Sequence, residues 1–96
     1  MNGRLHPAAD EELVEAVRYY TAIDPELGLR FYREIERLIE DVCVHPQRYR
    51  QIDPPLRRRI SAEFPYALVY MEKPDHVLIV AVMHLKRRPG YWRQRF

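Results

Sequence analysis

The sequence predicts an α+β fold: an N-terminal antiparallel helical hairpin packed on a small C-terminal antiparallel sheet of three to four strands. Three observations carry this. Apolar residues recur at helical spacing as far as Val44 and at the period of a strand from Leu56 onward. Two prolines, in Asp24-Pro25 and His45-Pro46, mark the start and the stop of the second helical segment. The chain has 96 residues, the size of a single domain (1–96) with one modest core.

The first helix spans about residues 7–21. Pro7 suits a first helical position, and Asp10, Glu11 and Glu12 place negative charge near the positive end of the helix dipole. Leu13, Ala16, Val17 and Tyr20 then repeat at helical spacing. Asp24 is the N-cap of the second helix, with Pro25 and Glu26 just inside it. Leu27, Phe31, Ile35, Leu38 and Val42 form its apolar stripe, widened on one side by Tyr32, Ile39 and Cys43. This helix ends near Val44, and so short a link makes the two helices antiparallel neighbours.

Residues 45–55 read as an extended loop. Leu56 to Ser61 is a short strand carrying Arg57, Arg58 and Arg59. Tyr66 to Glu72 and His76 to Leu85 form a hairpin around Pro74-Asp75. The last strand is apolar on both faces, which places it centrally, and something besides the helices must cover its second face.

Composition excludes several classes of function. The longest apolar run, Val77 to Met83, is too short to span a membrane. A single cysteine, Cys43, excludes a disulfide framework and a CxxC metal site, and points to a cytoplasmic protein. Cys43 reads as a packing residue rather than a reactive thiol. His6, His45, His76 and His84 lack metal-ligand spacing, and the three glycines form no phosphate loop, so no cofactor or metal is expected.

Charge is segregated. Residues 1–44 hold five basic and ten acidic side chains, and residues 45–96 hold eleven basic and four acidic. Fourteen of the sixteen basic residues are arginine. Codon bias explains arginine over lysine but not the segregation. An arginine-rich half suits a polyanionic or acidic partner. The candidate target- and partner-binding residues are Arg57, Arg58, Arg59, Lys86, Arg87, Arg88, Trp92 and Arg93. If the protein is an enzyme, the same region holds an inventory for metal-free RNA cleavage. His84 and Tyr91 would move protons and Arg87 would stabilise charge, Tyr91 requiring a pKa lowered by Arg87 and Arg88.

The order and spacing of several motifs resemble the RelE/ParE superfamily, toxins of type II toxin–antitoxin or plasmid-stabilisation modules. These are His6-Pro7-Ala8-Ala9, Phe64-Pro65-Tyr66, Tyr70, Ala81-Val82-Met83-His84 and Arg87-Arg88-Pro89-Gly90-Tyr91-Trp92, within residues 5–93. The resemblance implies a helical hairpin on a small sheet and a cognate antitoxin as partner, in a homodimer or a toxin–antitoxin hetero-oligomer, with no membrane association. It also implies one of two targets. RelE-like members cut messenger RNA on the ribosome, which by position would involve Arg57, Arg58 or Arg59, Lys86 or Arg87, and Tyr91. ParE-like members poison DNA gyrase through a surface without an evident active site. The helical half is more ParE-like, loop 45–55 lacks lysine, and Pro89-Gly90 interrupts the tail. A ParE-like binding toxin is therefore expected, with the endoribonuclease and a non-toxic binding module on a decayed toxin fold as alternatives. Gly3, Arg4 and Leu5 leave room for only a short first strand, unless the start site is misassigned.

Overall fold

Asp24 both ends the first helix and starts the second. Its backbone N–H donates to the Tyr20 carbonyl, and its carboxylate accepts from Glu26 N at 2.9 Å. The computed structural model describes residues 1–96. In chain order it contains β1 (Asn2–Leu5), α1 (Pro7–Ile23), α2 (Pro25–Val44), β2 (Gln51–Asp53), β3 (Leu56–Ile60), β4 (Tyr66–Glu72), β5 (His76–His84) and a closing 3-10 turn (Arg93–Arg95). α1 opens on an unusual cap: His6 Nδ1 accepts from Ala8 N at 3.0 Å. No helix is long and apolar enough to cross a membrane.

The sheet has five strands in the order β1-β5-β4-β3-β2 and is mixed. The helical hairpin on a small sheet is as expected, and the short first strand is present as β1, but the expected three or four antiparallel strands are corrected to five, not all of them antiparallel. β1 runs parallel to β5, with Asn2 opposite His76 and Leu5 opposite Ile79. β2 forms inside the segment read as an extended loop and pairs with β3. With four and three residues, these strands are too short for a period of two to register in the sequence.

A bulge explains why β5 is apolar throughout. Val69 pairs with Ala81 and Tyr70 with Ile79, leaving Val80 as an extra residue. The bulge shifts the alternation, so Val77, Ile79 and Val82 face the helices while Val80, Ala81 and Met83 face the opposite side. On the helix side, Phe31, Ile35, Leu38 and Val42 are fully buried against them. Tyr20, Phe31, Phe64 and Tyr66 form an aromatic cluster at one end of this layer, Phe31 lying edge-on to Phe64 at 5.1 Å. On the other side, Leu56, Ala67, Val69, Met71, Val80, Ala81 and Met83 pack with Trp92. The C-terminal tail is thus the cover that the second face requires.

Candidate functional site: a basic sheet face and its tail

The three consecutive arginines of β3 do not form one patch. Strand alternation sends them to opposite faces, and residues paired across neighbouring strands share a face. Arg57 stands opposite Tyr70 and Arg59 opposite Leu68, both on the helix side. Arg57 Nη1 donates to the Tyr49 carbonyl at 2.8 Å. Arg59 Nε donates to Asp41 Oδ2 at 3.1 Å, and its guanidinium lies 4.8 Å from the Tyr49 ring centre. Tyr49 also donates its hydroxyl to Asp41. This hydrogen bond, with that of Arg59 and the charges of Arg59 and Arg48, outweighs burial and holds Asp41 below the usual range. Arg58 stands opposite Val69 on the tail side, half-buried and without an ion pair.

The tail residues divide similarly. Lys86 and Arg88 are exposed and make no ion pair. Arg93 is exposed and pairs with Asp53 of β2 at 3.1 Å. Trp92 is 3% exposed, so its ring packs under the tail and offers no outward surface. Arg87 lies 3.7 Å from the Tyr91 ring centre and 3.4 Å from Glu12.

The two proton-transfer candidates are both engaged. Tyr91 donates its hydroxyl to Glu12 Oε2 at 2.6 Å. Burial pushes the phenol well above its ordinary value. The bond to Glu12 and that residue's negative charge push the same way, and together they overcome Arg87 and Arg95. The lowering that RNA cleavage would require of Tyr91 is therefore the reverse of the direction this environment imposes. His84 Nδ1 accepts from Lys86 N at 3.0 Å, and the ring lies edge-on to Tyr66 at 5.0 Å. His84 does share a cleft of about 280 Å³ with Glu12, Glu15, Tyr66 and Arg87.

Two features escape a reading of the sequence. Glu12 and Arg95 meet across 83 positions, with Arg95 Nη1 donating to Glu12 Oε1 at 2.8 Å, and no local pattern announces such a pair. The second is a groove of about 600 Å³ between α1, α2 and β1, floored by Leu13, Val17, Ile39 and Cys43 and rimmed by Asp10, Glu36, Glu40 and Arg18. The widening of the α2 stripe by Tyr32, Ile39 and Cys43 was its signal, since a helix that buries a broader face than one sheet needs has a second surface to offer. Cys43 lies at its base, where burial raises the thiol pKa against the opposing charge of the N-terminus.

The family model described as the ParE toxin of type II toxin–antitoxin system, parDE, matches residues 4–89. Among solved structures, the chain is similar to one described as the chromosomal ParDE TA system from P. aeruginosa. The TM-score is 0.76 at 16% identity, covering 88% of this chain and 95% of that one. No match was found among curated proteins. The likeness in structure is one of fold: two helices on a five-stranded mixed sheet. The family match, which takes in both helices and all five strands from Arg4 onward, decides the relationship, and the chain belongs to the ParE toxin family of type II toxin–antitoxin systems.

Proposed function

We propose that this protein arrests growth by binding its target, DNA gyrase, rather than by cutting RNA, and that a cognate antitoxin keeps it silent. The observation that carries the reading is the Tyr91–Glu12 hydrogen bond at 2.6 Å. The phenol that a tail-based nuclease would use is tied to a carboxylate and held protonated. Meanwhile Lys86, Arg87 and Arg88 stay on the surface, as a binding protein requires. Membership of the family supports the toxin role. Likeness to a chain of a ParDE TA system supports an antitoxin partner.

The antitoxin suited to this chain carries an acidic, partly apolar segment for the arginine-rich half. Its apolar residues also have the groove beside β1 to enter. The deciding experiment expresses the protein with and without the neighbouring reading frame and reads DNA breaks and transcript cleavage separately. Purified protein is then added to a gyrase supercoiling reaction and to ribosomes programmed with messenger RNA. Inhibition of gyrase with intact message supports the proposal. Ribosome-dependent cleavage without an effect on gyrase overturns it and makes the protein an endoribonuclease.

A further inference from the structure

We propose that Glu12 is a positioning residue: it clamps the C-terminal tail along the open edge of β5 and so sets where the tail's basic side chains stand for target binding. The proposal rests on the target-binding reading for its last clause only. It begins with an incomplete strand. β1 pairs with β5 no further than Ile79, so residues 80–84 have no neighbouring strand on that side. Unpaired backbone groups on such an edge need partners.

Side chains supply them here. Glu12 Oε1 accepts from Val82 N at 3.1 Å, and Arg95 Nη1 donates to the Val80 carbonyl at 3.1 Å. The first contact comes from α1 and the second from the last turn of the chain. They are joined to each other, because Arg95 donates to both oxygens of Glu12, at 2.8 and 3.1 Å. Tyr91 donates to the same carboxylate at 2.6 Å, and Arg87 stands 3.4 Å from it. The Tyr91 ring lies 3.7 Å from the Arg87 guanidinium and 5.0 Å from that of Arg95.

One carboxylate therefore collects a strand amide, a phenol and two guanidiniums. It is 13% exposed and Arg95 is 16% exposed, so water competes weakly for these bonds. The closed tail also keeps Trp92 over the second face of the sheet. Of the four side chains in the clamp, Glu12 and Arg87 lie within the family match and Tyr91 and Arg95 lie beyond residue 89, where it ends.

The test compares Glu12→Ala, Glu12→Gln and Arg95→Ala with the unmodified protein. Three quantities are read: amide exchange across the chain, Trp92 fluorescence, and growth inhibition on controlled expression. In Glu12→Ala, exchange at Val82 and through residues 86–96 should rise about ten-fold or more. Trp92 emission should shift to the red, and growth inhibition should fall about ten-fold or more at equal protein level. Protection in α2 and β4 should be unchanged, which separates a loosened tail from an unfolded domain. Glu12→Gln keeps an acceptor for Val82 N and should retain part of the protection. Arg95→Ala should loosen the tail without altering α1. Unchanged tail exchange and Trp92 emission in both alanine variants would refute the clamp. A loosened tail with undiminished growth inhibition would refute the positioning role. Should the unmodified protein fail to inhibit growth, the target-binding reading falls, and exchange with fluorescence still decides whether Glu12 holds the tail.

Discussion

The Ser61 hydroxyl donates to Glu34 Oε2 at 2.6 Å, joining the middle of α2 to the turn between β3 and β4. Both residues are buried. Ser61 Oγ also accepts from Glu63 N and Phe64 N at 3.1 Å, so one hydroxyl shapes the turn and anchors it to the helix. The second oxygen of Glu34 takes a bond from Arg37 Nε at 2.8 Å. A buried carboxylate on the sheet-facing side of a helix survives here because both of its oxygens are bonded.

This arrangement predicts acid sensitivity. Burial alone would raise the Glu34 pKa, but the hydrogen bonds from Arg37 and Ser61, with the charges of Arg37 and Arg59, hold it below its ordinary 4.5. Asp41 is likewise held below its ordinary 3.8, chiefly by the Tyr49 hydroxyl. A carboxylate whose folded pKa is depressed contributes stability above its unfolded pKa and loses it as pH falls through the folded one. The melting temperature should therefore stay level on mild acidification and drop once pH passes below about 4.5. Glu34→Gln, whatever its plateau, should show a shallower acid limb in scanning calorimetry. An identical limb would mean that Glu34 does not titrate with folding.

Ser61→Ala should cost about 1–3 kcal/mol, the usual range when a buried acceptor loses its donor. The turn loses two acceptor bonds in the same step. Urea unfolding checks this, and a loss under about 0.5 kcal/mol would show that water replaces the hydroxyl.

Both helices were legible in the sequence because their signals are local. Asp24-Pro25, the acidic first turn of α1 and the apolar stripe of α2 all act within a few residues, although α1 runs two residues past its expected end at 21. The hairpin of β4 and β5 was legible from β-branched runs around a proline turn. β1 was expected only as a short first strand, through the family resemblance. Its parallel pairing with β5 was not legible, because it depends on a strand distant in sequence. β2, three residues long, is too short to show alternation. The Val80 bulge was hidden in a run that is apolar on both faces. For the candidate site, composition marked a basic half but could not divide it. Alternation along β3 separates Arg58 from Arg57 and Arg59. Folding of the tail separates the buried Trp92 from the exposed Lys86, Arg87, Arg88 and Arg93. Glu12, a residue of the acidic half, belongs to the basic site through contacts that only the fold creates.

Gly28 gives a prediction opposite to helix propensity. It sits where α2 crosses α1, and a Cβ added there would lie 2.9 Å from the Cα of Thr21. Gly28→Ala would ordinarily stabilise a helix by about 1 kcal/mol. Here the backbone of α1 must move, at a cost of about 1–3 kcal/mol. Net destabilisation is expected, measurable by chemical unfolding, and a gain in stability would show that the two helices separate freely at this end.

Leu38→Ala should cost about 2–5 kcal/mol, since Leu38 is fully buried between α2 and the sheet. Domains of this size hold about 5–10 kcal/mol in total, so much of the expressed protein would be lost. Tyr32→Ala, on the groove side of the same helix and 41% exposed, should leave stability within about 0.5 kcal/mol. Equal losses at both positions would mean that α2 packs through a different face.

The tail decides between binding and cleavage. Tyr91→Phe removes one bond to the Glu12 carboxylate and leaves Arg95 and Val82 N in place, so stability should fall by about 1.5–3 kcal/mol. If the protein acts by binding, growth inhibition should persist in this variant. It should be lost when Arg87, Arg88 and Arg93 are all changed to glutamine, because association then loses its charge. The same triple change should weaken antitoxin binding and flatten its salt dependence. A nuclease gives the opposite pattern: loss of a proton-transfer group costs about 100-fold or more in cleavage while ribosome binding survives. The informative measurement is growth inhibition by Tyr91→Phe at matched expression, with the fold verified by circular dichroism. Abolished toxicity and transcript cleavage in a folded Tyr91→Phe protein whose tail exchange and antitoxin binding are unchanged would make the phenol catalytic and the chain an enzyme.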